Sequence, residues 1–460
     1  MSALNASHYE SIKFKKSGRP SNNDEFEVKS TAMVIQFYES LYSPYVTGSI
    51  TQIDVGGEVI DPNTNLTGTL RDALPIEGNE EISMKIETKY GTIETSSENP
   101  FICQGSTATI DSLQRQTNNF SFISKYGMTG SKNTSPMAYP ESKLSEVVKK
   151  ILSSGGTGGE TVTGSSGMGI SDDFIDIDDT ENKDVVESQY SAHIDVIQDL
   201  CPKSKPIDGD PGYFFYETLR SLIDTPMPSY KPGFHYRSID SLIRQGKEDF
   251  ANPDYSKTHT YYYQSGLNAN PQDDFNDFKV LSPPVSIQAG SALDFAREGA
   301  TKCRVITYET ASQRYRDEVY DLETKVCLGP DAKREFLEEH GSTVKVYQYT
   351  LNPGVESSVN GRTQILNNLA LIEPYAHLRY VMIHRNMIKI QVPCNVTLQV
   401  GQVIDLKIEN VTTDDKVQQE WNFNRSGKYM ILHLSHYFDT SRSYTSIVLA
   451  RDTNGMYGGG

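Results

Sequence analysis

Two neighbouring stretches of the chain carry residue types that could hold a phosphate or a cation. Gly156 and Gly158 lie in a Gly/Ser-rich stretch, but no third glycine follows at the spacing of a phosphate-binding loop, and no Gly-Lys-Ser or Gly-Lys-Thr occurs there. The acidic run that follows could attract calcium, yet Asp176 and Asp178 lead into Thr180 without the glycine that a calcium loop needs. We therefore interpret the two stretches as a flexible linker and a solvated acidic patch.

Two pairs of histidines could share a metal ion. His433 and His436 are three residues apart, as on one face of a helix, but the surrounding pattern predicts a strand, where an odd offset places the two rings on opposite faces. The same objection applies to His377 and His384, which are seven residues apart. We interpret all four as structural histidines, and the sequence predicts no metal site.

The cysteines form no Cys-x-x-Cys pair, so neither a zinc site nor a thioredoxin-like site is indicated. Their loose spacing is typical of a protein that folds in a reducing cytoplasm. Cys394 lies in an apolar, strand-like run and is interpreted as a buried, inert thiol. The five cysteines are Cys103, Cys201, Cys303, Cys327 and Cys394.

No group of residues stands out as catalytic. The 60 acidic residues permit many carboxylate pairs of the kind that cleaves glycosides, but nothing in the sequence distinguishes one pair from another. No Gly-x-Ser-x-Gly nucleophile motif accompanies the Gly-rich stretch. The sequence therefore predicts no catalytic residue, no cofactor and no enzymatic activity.

The composition bounds the class of protein. A chain of 460 residues allows roughly two to four domains. Its net charge of −17 argues against a nucleic-acid coat protein and against a polybasic membrane-surface protein. No apolar run approaches the roughly 18 residues of a membrane-spanning helix and no secretory signal is visible, so we expect no membrane anchor. The 27 tyrosines and 17 phenylalanines, against one tryptophan, favour many short strands with polar interfaces.

Hydrophobic spacing predicts two strand-rich regions. Residues 1–27 are polar and are predicted to form a flexible arm. From 28 to 126, short strand-like segments are separated by turn residues, and the alternation of Ile82, Met84 and Ile86 with polar residues marks one buried face. In the C-terminal region, strands are predicted at 377–385, 387–398, 402–408, 428–439 and 444–452.

Helices are predicted between these two regions and just before the C-terminal strands. The apolar stripe that starts at Leu144 and ends at Leu152 has helical spacing, and Pro140 is expected to open this helix. Asp210 and Pro211 form a helix-start signal ahead of an aromatic segment. Further predicted helices lie at 213–225, 330–341 and 363–372.

Several short motifs follow one another in a distinctive order. The segment at 37–54 reads FYESLYSPYVTGSITQID and is followed by a Leu-Pro-Ile-x-Gly turn at 74–78 and the strand ISMKIET. The C-terminal region contains Ser-Gly-Lys-Tyr-Met-Ile at 426–431, then His436 and Ala-Arg-Asp at 450–452. Each motif is short, but their joint order, over roughly residues 28–455, resembles that of central baseplate hub proteins of contractile-tailed, T-even-like bacteriophages.

The resemblance implies a mainly β fold with an α+β middle, in which two similar antiparallel β-barrel tube domains are joined by a mixed αβ region. With the patterns above, the expected divisions are a flexible N-terminal arm (1–27), a first tube-forming barrel (28–139), an intermediate domain (140–257) with a mobile Gly/Ser-rich and acidic insertion (153–182), a second barrel (258–310 and 362–455), a second part of the intermediate domain (311–361) and a C-terminal tail (456–460).

The resemblance also implies a structural role in the virion. Family members form a homotrimeric ring with quasi-sixfold symmetry, which adapts a hexameric tail tube to a trimeric central spike and contacts other baseplate proteins. DNA would pass through the lumen during ejection without specific binding. Our hypothesis is that part of the −17 charge lines this lumen and repels DNA. Such a protein would assemble in the host cytoplasm and reside in the tail baseplate.

Two other functions remain open at this point. One is a tail-associated cell-wall hydrolase. The other is a receptor-binding or carbohydrate-binding β-protein of the tail, for which the abundance of tyrosine would also be suitable.

The residues that carry the resemblance are interpreted as structural. Glycines and turn acids at strand ends hold backbone conformations and turns rather than contacting partners. These signature residues are Glu39, Tyr45, Gly48, Asp54, Pro75, Gly78, Gly401, Gly427, Tyr429 and Asp452.

Overall fold

Alternation of apolar and polar side chains builds most of the chain into β-strands. In the strand at Glu81–Thr88, Ile82, Met84 and Ile86 are buried while the residues between them are partly exposed. The alternation predicted from the sequence is therefore confirmed for this strand, and so is the mainly β class.

The computed structural model describes residues 7–16, 25–57, 59–60, 67–95, 99–112, 115–134, 136–153, 167–188, 190–222, 231–263, 278–287, 302–310, 313–321, 328, 345–351, 356–359, 362–365, 369–384, 386–410, 421–439 and 441–452.

The strands within these ranges are β1 His8–Lys15, β2 Glu25–Glu27, β3 Ala32–Ser40, β4 Thr47–Asp54, β5 Val59–Ile60, β6 Thr67–Gly68, β7 Glu81–Thr88, β8 Gly91–Glu94, β9 Phe101–Ser112, β10 Arg115–Ser124, β11 Met137–Lys143, β12 Ile175–Ile177, β13 Lys183–Ser188, β14 Tyr213–Thr218, β15 Ser221–Leu222, β16 Gly233–Ser238, β17 Thr260–Tyr263, β18 Val285–Ile287, β19 Lys302–Glu309, β20 Arg314–Asp321, β21 Lys345–Leu351, β22 Glu356–Val359, β23 Arg362–Ile365, β24 Asn386–Pro393, β25 Val403–Ile408, β26 Gly427–Asp439 and β27 Ser443–Arg451.

The α-helices are α1 Leu70–Ala73, α2 Lys125–Lys132, α3 Leu144–Ser153, α4 His193–Leu200, α5 Ile239–Asp249, α6 Pro253–Thr258 and α7 Leu369–Ile383. Short 3₁₀ turns lie at Asp172–Phe174 and Cys201–Lys203.

One sheet contains 15 of the described strands. Its main path runs β15–β8–β7–β9–β10–β4–β3–β26–β27–β24–β18, and β1, β2, β17 and β25 pair at its sides. All of its pairs are antiparallel except β17 with β25. The sheet therefore passes without interruption from the N-terminal strands to the C-terminal strands.

The first β unit comprises β1–β4, β7–β10 and helix α1. Its core is aromatic, with Phe14, Phe37, Phe120 and Phe122 fully buried. The Phe37 ring lies 5.6 Å from that of Phe122 in an edge-on arrangement, which is favourable for aromatic pairs.

The second β unit comprises β17, β18 and β24–β27. Its core is aliphatic, and Ile390, Leu406, Met430, Ile447 and Leu449 are among its buried residues. Helix α5 packs closely on this unit at Gly246, where an added Cβ would lie 2.2 Å from Cγ2 of Val403. Glycine is therefore required at this helix–strand contact.

Strands β3 and β26 join the two β units, and a side chain at the end of each strand packs in the core of the other unit. Ser40 pairs with His433 at one end of this ladder. Leu41, just after β3, packs in the second core, while Phe438 of β26 packs in the first core, 6.0 Å from the ring of Phe37. Each unit thus completes the other's core, and separating them would expose apolar surface on both sides.

A middle region, formed mainly by β11–β14, β16 and α2–α4, has a third core. Strand β14 is buried along its whole length, and its aromatic side chains alternate between the third and the second core. Tyr213 and Phe215 point into the third core, Phe214 and Tyr216 into the second, and Leu219, just beyond the strand, into the first. This strand therefore fixes the middle region against both β units.

A separate sheet of β20, β19 and β21 packs against α7. Cys303, Val305 and Leu378 form its small core. The expected divisions assign 302–309 to the second barrel, but β19 pairs with β20 and β21 rather than with the strands of that unit.

The prediction that residues 1–27 form a flexible arm is wrong where the structure describes them. Strand β1 pairs with β7, and Ile12 and Phe14 are fully buried in the first core. The segment resembled a polar arm because Lys13 and Lys15 alternate with these two residues on the opposite face of the strand. Residues 1–6 and 17–24 lie outside the described residues.

The helix predicted at 213–225 is wrong, since β14 and β15 occupy its described part. A strand buried on both faces shows no alternation, and a short continuous apolar run cannot be distinguished from a buried helix by spacing alone. The strand predicted at 377–385 is also wrong, because α7 extends to Ile383. The helix predicted at 363–372 overlaps only the start of α7, and the one predicted at 330–341 lies outside the described residues.

The helical stripe from Leu144 to Leu152 is confirmed as α3, although Pro140 lies in β11 and does not open the helix. The insertion predicted to be mobile at 153–182 is ordered from 167 onward. Met168 and Ile170 are buried in the third core, which supplies the apolar anchor that the acidic run itself lacks. Residues 154–166 lie outside the described residues.

Candidate assembly surface

Eight consecutive strands of the large sheet form a continuous antiparallel row, in the order β9–β10–β4–β3–β26–β27–β24–β18. We call this the eight-strand row. Both β units contribute four strands to it, and the β3–β26 ladder lies at its centre. The cores lie behind the row, so one of its faces is buried and the other is exposed.

The exposed face of the row is made almost wholly of hydroxyl, amide and tyrosine side chains. Its charged residues are Asp439 and Lys389, of opposite sign, and Asp111 and Arg115, which form an ion pair at 3.5 Å at the β9–β10 tip. The Thr117 hydroxyl donates to Asp111 at 2.6 Å. Burial and the nearby His384 lower the pKa of His433, so this ring is neutral at neutral pH. By register, exposure and contact the face comprises Thr107, Thr109, Asp111, Arg115, Thr117, Asn119, Ser121, Thr47, Ser49, Thr51, Ile53, Val34, Gln36, Tyr38, Ser40, His433, Ser435, Tyr437, Asp439, Tyr444, Ser446, Val448, Lys389, Gln391 and Val285.

Both ends of the row are open among the described residues. Beyond Cys103, the outer edge of β9 pairs with no strand that the structure describes, and Ile110 near its tip is 78% exposed. At the other end, β18 pairs with β24 alone among the described strands, and Val285 is 57% exposed. Open strand edges with exposed apolar residues are templates for pairing with another chain.

Glu39 links the row to the rest of the chain. Its carboxylate is buried and accepts hydrogen bonds from the backbone N–H of Leu219 at 3.1 Å and, more weakly, of Val400 at 3.5 Å. Burial raises the pKa of Glu39 to about 8, and the nearby charge of Glu217 adds to this. One carboxyl group therefore connects the first unit, the middle region and the second unit.

Glu217 is a second buried carboxyl group beside Glu39, and the sequence analysis missed it. Its Oε2 accepts hydrogen bonds from the Val46 N–H at 2.9 Å and from the Ser124 hydroxyl. Burial raises its pKa to about 7. An acid at the end of the aromatic run at 213–216 was the signal that could have identified it.

Two signature glycines of the first unit are explained by close contacts or backbone geometry. An added Cβ at Gly48 would lie 2.2 Å from Cζ of Phe122 and 2.3 Å from the carbonyl oxygen of Gln36. Gly78 adopts φ of +96°, a left-handed conformation that favours glycine. These two positions are required by the fold itself.

The other signature residues of the first unit hold turns and packing contacts. Asp54 accepts hydrogen bonds from the N–H groups of Gly56 at 2.9 Å and Leu70 at 2.7 Å, and so ties the end of β4 to α1. Tyr45 is partly buried against the third core, whereas Pro75 is exposed in its turn.

The signature residues of the second unit fall into two places. Gly401, at φ of +86°, lies beside the hydroxyl of Tyr216 and follows the residue that bonds to Glu39, so it belongs to the junction. Gly427, at φ of +130°, starts β26. Tyr429 and Asp452 lie elsewhere in the unit.

Tyr429 is buried under the guanidinium of Arg451, which lies 4.5 Å from the ring centre. The Tyr429 hydroxyl donates to the carbonyl of Arg425 at 2.8 Å, and Asp452 accepts from the N–H of Leu328 at 3.0 Å. Arg451 donates to two loop carbonyls and closes this end of the second unit. These contacts are structural and present no group to a substrate.

Two acids of the acidic run, Asp176 and Asp178, form an ion-pair network, so the interpretation as a solvated patch is wrong for them, while Asp172 and Asp173 are exposed. Asp176 contacts Lys231 at 2.9 Å and Arg237 at 2.6 Å, and Asp178 lies 3.0 Å from Arg237. Burial by itself raises the pKa of Asp176, but the hydrogen bond with His235 and the positive charges of Arg237 and Lys231 outweigh it and lower this pKa. The network attaches β12 to β16.

One group of side chains has the residue types of a hydrolytic triad. His235 lies 3.4 Å from Asp176 and 3.0 Å from the hydroxyl of Thr218. Thr218 is buried, however, and its hydroxyl also contacts the carbonyl oxygens of Lys231 and Gly233. These contacts hold the β14–β16 ladder and leave the hydroxyl no open approach for a substrate.

A cavity of about 450 Å³ lies between the first unit and the middle region. Phe101, Phe174 and Arg220 line it, with the Arg220 guanidinium stacked 3.9 Å from the ring centre of Phe174. The two guanidinium nitrogens of Arg220 that lack a hydrogen bond, Nε and Nη2, are themselves inaccessible to solvent. The Arg220 guanidinium therefore packs against the ring of Phe174 and offers these two nitrogens to no ligand in the cavity.

The histidines and cysteines have structural surroundings. His436 is fully buried and bonds to Thr445 at 3.0 Å, while His433 faces the other side of β26 and bonds to Ser40 at 2.8 Å, as predicted. Cys394 is buried, and burial raises its pKa to about 12. Within the described residues no group of three or more metal-binding side chains occurs. The described helices include none with the length and apolarity to cross a membrane.

Comparisons with known proteins give likenesses of fold only. No protein-family model and no curated sequence matches the chain. Among solved structures, a tail protein from Neisseria meningitidis aligns with a TM-score of 0.48 and 9% identity over 97% of both chains. A 43 kDa tail protein of a Shewanella oneidensis prophage aligns with a TM-score of 0.45 and 9% identity, covering 96% of this chain and 98% of that one.

A component of the type VI secretion system of E. coli aligns with a TM-score of 0.42 and 8% identity, over 96% of this chain and 78% of the other. At these scores and identities, the likenesses carry no argument about what this chain binds or does.

Proposed function

We propose that the chain is a structural subunit of a phage tail hub, and that three copies form a ring between the hexameric tail tube and the trimeric central spike. The order of sequence motifs described above motivates this proposal. The observation that carries it is the eight-strand row, which joins two β units in one chain and is open at both ends.

An open row can close into a ring by pairing β9 of one copy with β18 and β24 of the next. Since each chain brings two β units, a trimer would present six units to a sixfold tube and three chains to a threefold spike. At about 4.8 Å between neighbouring strands, three rows of eight would form a wall roughly 115 Å around and about 37 Å across between backbones.

The bulk of each copy decides which face of the row would line the channel. Both cores and the middle region lie behind the buried face. A ring of this radius has no room for them inside, so the exposed face would point to the lumen. In this proposal the two β units are the two tube-forming domains, and the signature residues hold their turns and their junction.

Crosslinking across the two open edges tests the proposal. A chain with T109C and V285C is treated with a short bismaleimide, beside the two single-cysteine variants and the unsubstituted chain. We expect covalent species of up to three chains in the double variant and none in the controls; the four described native cysteines are buried.

Species of four or more chains would indicate an open filament, and the absence of species specific to the double variant would show that the edges do not meet. Either result contradicts the proposed ring. Cleavage of cell-wall substrate by the purified chain would favour the hydrolase instead.

A further inference from the structure

The chain carries a large negative charge that is missing from its exposed sheet face. The net charge is −17, yet the charges on the described face of the eight-strand row cancel: Asp439 and Lys389 have opposite signs, and Asp111 and Arg115 form an ion pair at the β9–β10 tip. At the centre of the face, Gln36, Ser49 and Ser435 come from three neighbouring strands and present an amide and two hydroxyls. The segregation of charge away from this face is a property of the strand register.

The pairing register of the strands determines which side chains lie on the exposed face. A slip of one residue in β3 would bring Glu39, now buried, to the exposed face, and a slip in β4 would bring Asp54 there. Glu39 is bonded to Leu219, and Asp54 to Leu70, which holds both acids on the buried side. The hydrogen bonds that fix the register therefore also keep these acids off the exposed face.

We propose that this face forms a channel wall without net charge, past which a polyanion such as duplex DNA moves with neither electrostatic retention nor repulsion. The inference rests on the proposed ring, in which the face lines the lumen. Retention of DNA requires cationic contacts to phosphate, which release counterions, and an acidic wall would raise the energy of the passing duplex instead. A wall of hydroxyls and amides neither retains the duplex nor repels it. We propose this neutral wall in place of the acidic lumen expected from the net charge.

Charged thiol reagents measure the potential at the wall directly. Ser49 is replaced by cysteine, and the rates of reaction with a cationic and an anionic methanethiosulfonate are compared in the assembled ring. S191C, at an exposed position outside the row, serves as the control, and both are compared with a free thiol. We expect the cation-to-anion rate ratio at S49C to match that of the free thiol within about twofold.

A ratio raised about tenfold or more in favour of the cationic reagent would show an acidic wall, and the reverse preference a basic one; either overturns the inference. A ratio that is neutral in a sample without rings, as seen by negative-stain imaging, counts against the proposed function rather than against the neutrality of this face. The two failures are thus distinguished in the same sample.

Added charge gives a second test in the assembled ring. The variant Q36K/S49K/S435K places three cations per chain on the wall, and S191K/A251K/Q348K adds the same charge at exposed positions outside the row. We expect a fluorescent duplex to bind the first variant with strong salt dependence, and to bind the second variant and the unsubstituted ring far more weakly.

Equal binding by the two lysine variants would show that the face does not line the channel. Salt-dependent binding of the duplex by the unsubstituted ring would show that the wall is not neutral. If the triple variant does not assemble, the single S49K variant is compared with S191K in the same way.

Discussion

At the scale of single residues, the junction depends on buried carboxyl groups. The folded chain holds a proton on Glu39 more tightly than the unfolded chain does, since burial raises the pKa of this group to about 8. The free energy of unfolding should therefore fall as pH rises from the ordinary pKa of a glutamate to about 8, and level off above it. Glu217, with a pKa of about 7, acts in the same direction.

Replacing Glu39 by glutamine should weaken this pH dependence, because glutamine mimics the neutral acid. The measurement is chemical denaturation between about pH 5 and pH 9, with E187Q, at an exposed strand position, as the control. An unchanged pH profile in E39Q would show that Glu39 does not hold a proton in the folded chain.

A second prediction concerns Gly48, where the first unit has no space for a side chain. Substitution by alanine places Cβ against Phe122 and the Gln36 carbonyl and should lower the free energy of unfolding by about 1–3 kcal/mol. The control is G57A, because an added Cβ at Gly57 meets nothing within 4 Å. Equal stability of the two variants by denaturant titration would contradict the close packing at β4.

The residue types in the sequence indicated that some positions are special, but not which residues they contact in the fold. A glycine at position 48 in a strand pattern marks a close approach, and the structure supplies the neighbours, Phe122 and Gln36. Glu217 could not be paired with Glu39 from the sequence, because they are 178 positions apart in the numbering and meet only once β14 lies against β3.

At the scale of elements, the attachment of β12 to β16 depends on Asp176. The substitution D176A leaves Arg237 and Lys231 without this carboxylate and should cost on the order of 1–3 kcal/mol of stability. D173A, at an exposed position of the same acidic run, is the matched control and should change stability little. Thermal unfolding of the two variants measures the difference, and equal melting temperatures would support a merely solvated acidic run.

The outer edge of β9 is expected to pair with another copy. Replacing Ile110 by aspartate places a charge where a neighbour would cover an apolar side chain, and should reduce assembly without changing the melting temperature of the single chain. Ile60, 59% exposed in β5 and outside the row, provides the control I60D. Light scattering measures the extent of assembly of both variants. Equal assembly of I110D and I60D would show that β9 is not part of the proposed interface.

Elements with one buried face could be predicted from the sequence, and elements buried on several sides could not. Strand β7 shows the clean alternation of a half-buried strand, and α3 shows a single apolar stripe. Strand β14 packs into two cores, one on each face, and α7 contacts β19, β14 and the second core, so neither has an exposed polar face to reveal its period. Their structure depends on neighbours that are distant in sequence.

At the scale of the whole molecule, the two β units are one structure rather than two independent domains. Leu41 and Phe438 complete each other's cores, and Glu39 bonds across the junction. A rigid pair of units with open edges is suited to a closed ring, because flexibility between the units would cost entropy on assembly. The charge of −17 is compatible with this ring, since the charges on the described part of the exposed face cancel.

The measurement that tests this account most directly is the mass and shape of the purified assembly. Light scattering with negative-stain imaging, on the chain alone and with its tail partners, should find a closed ring at three times the chain mass of 51.4 kDa. A chain that remains a monomer in both settings, or that forms an open filament, would contradict the account.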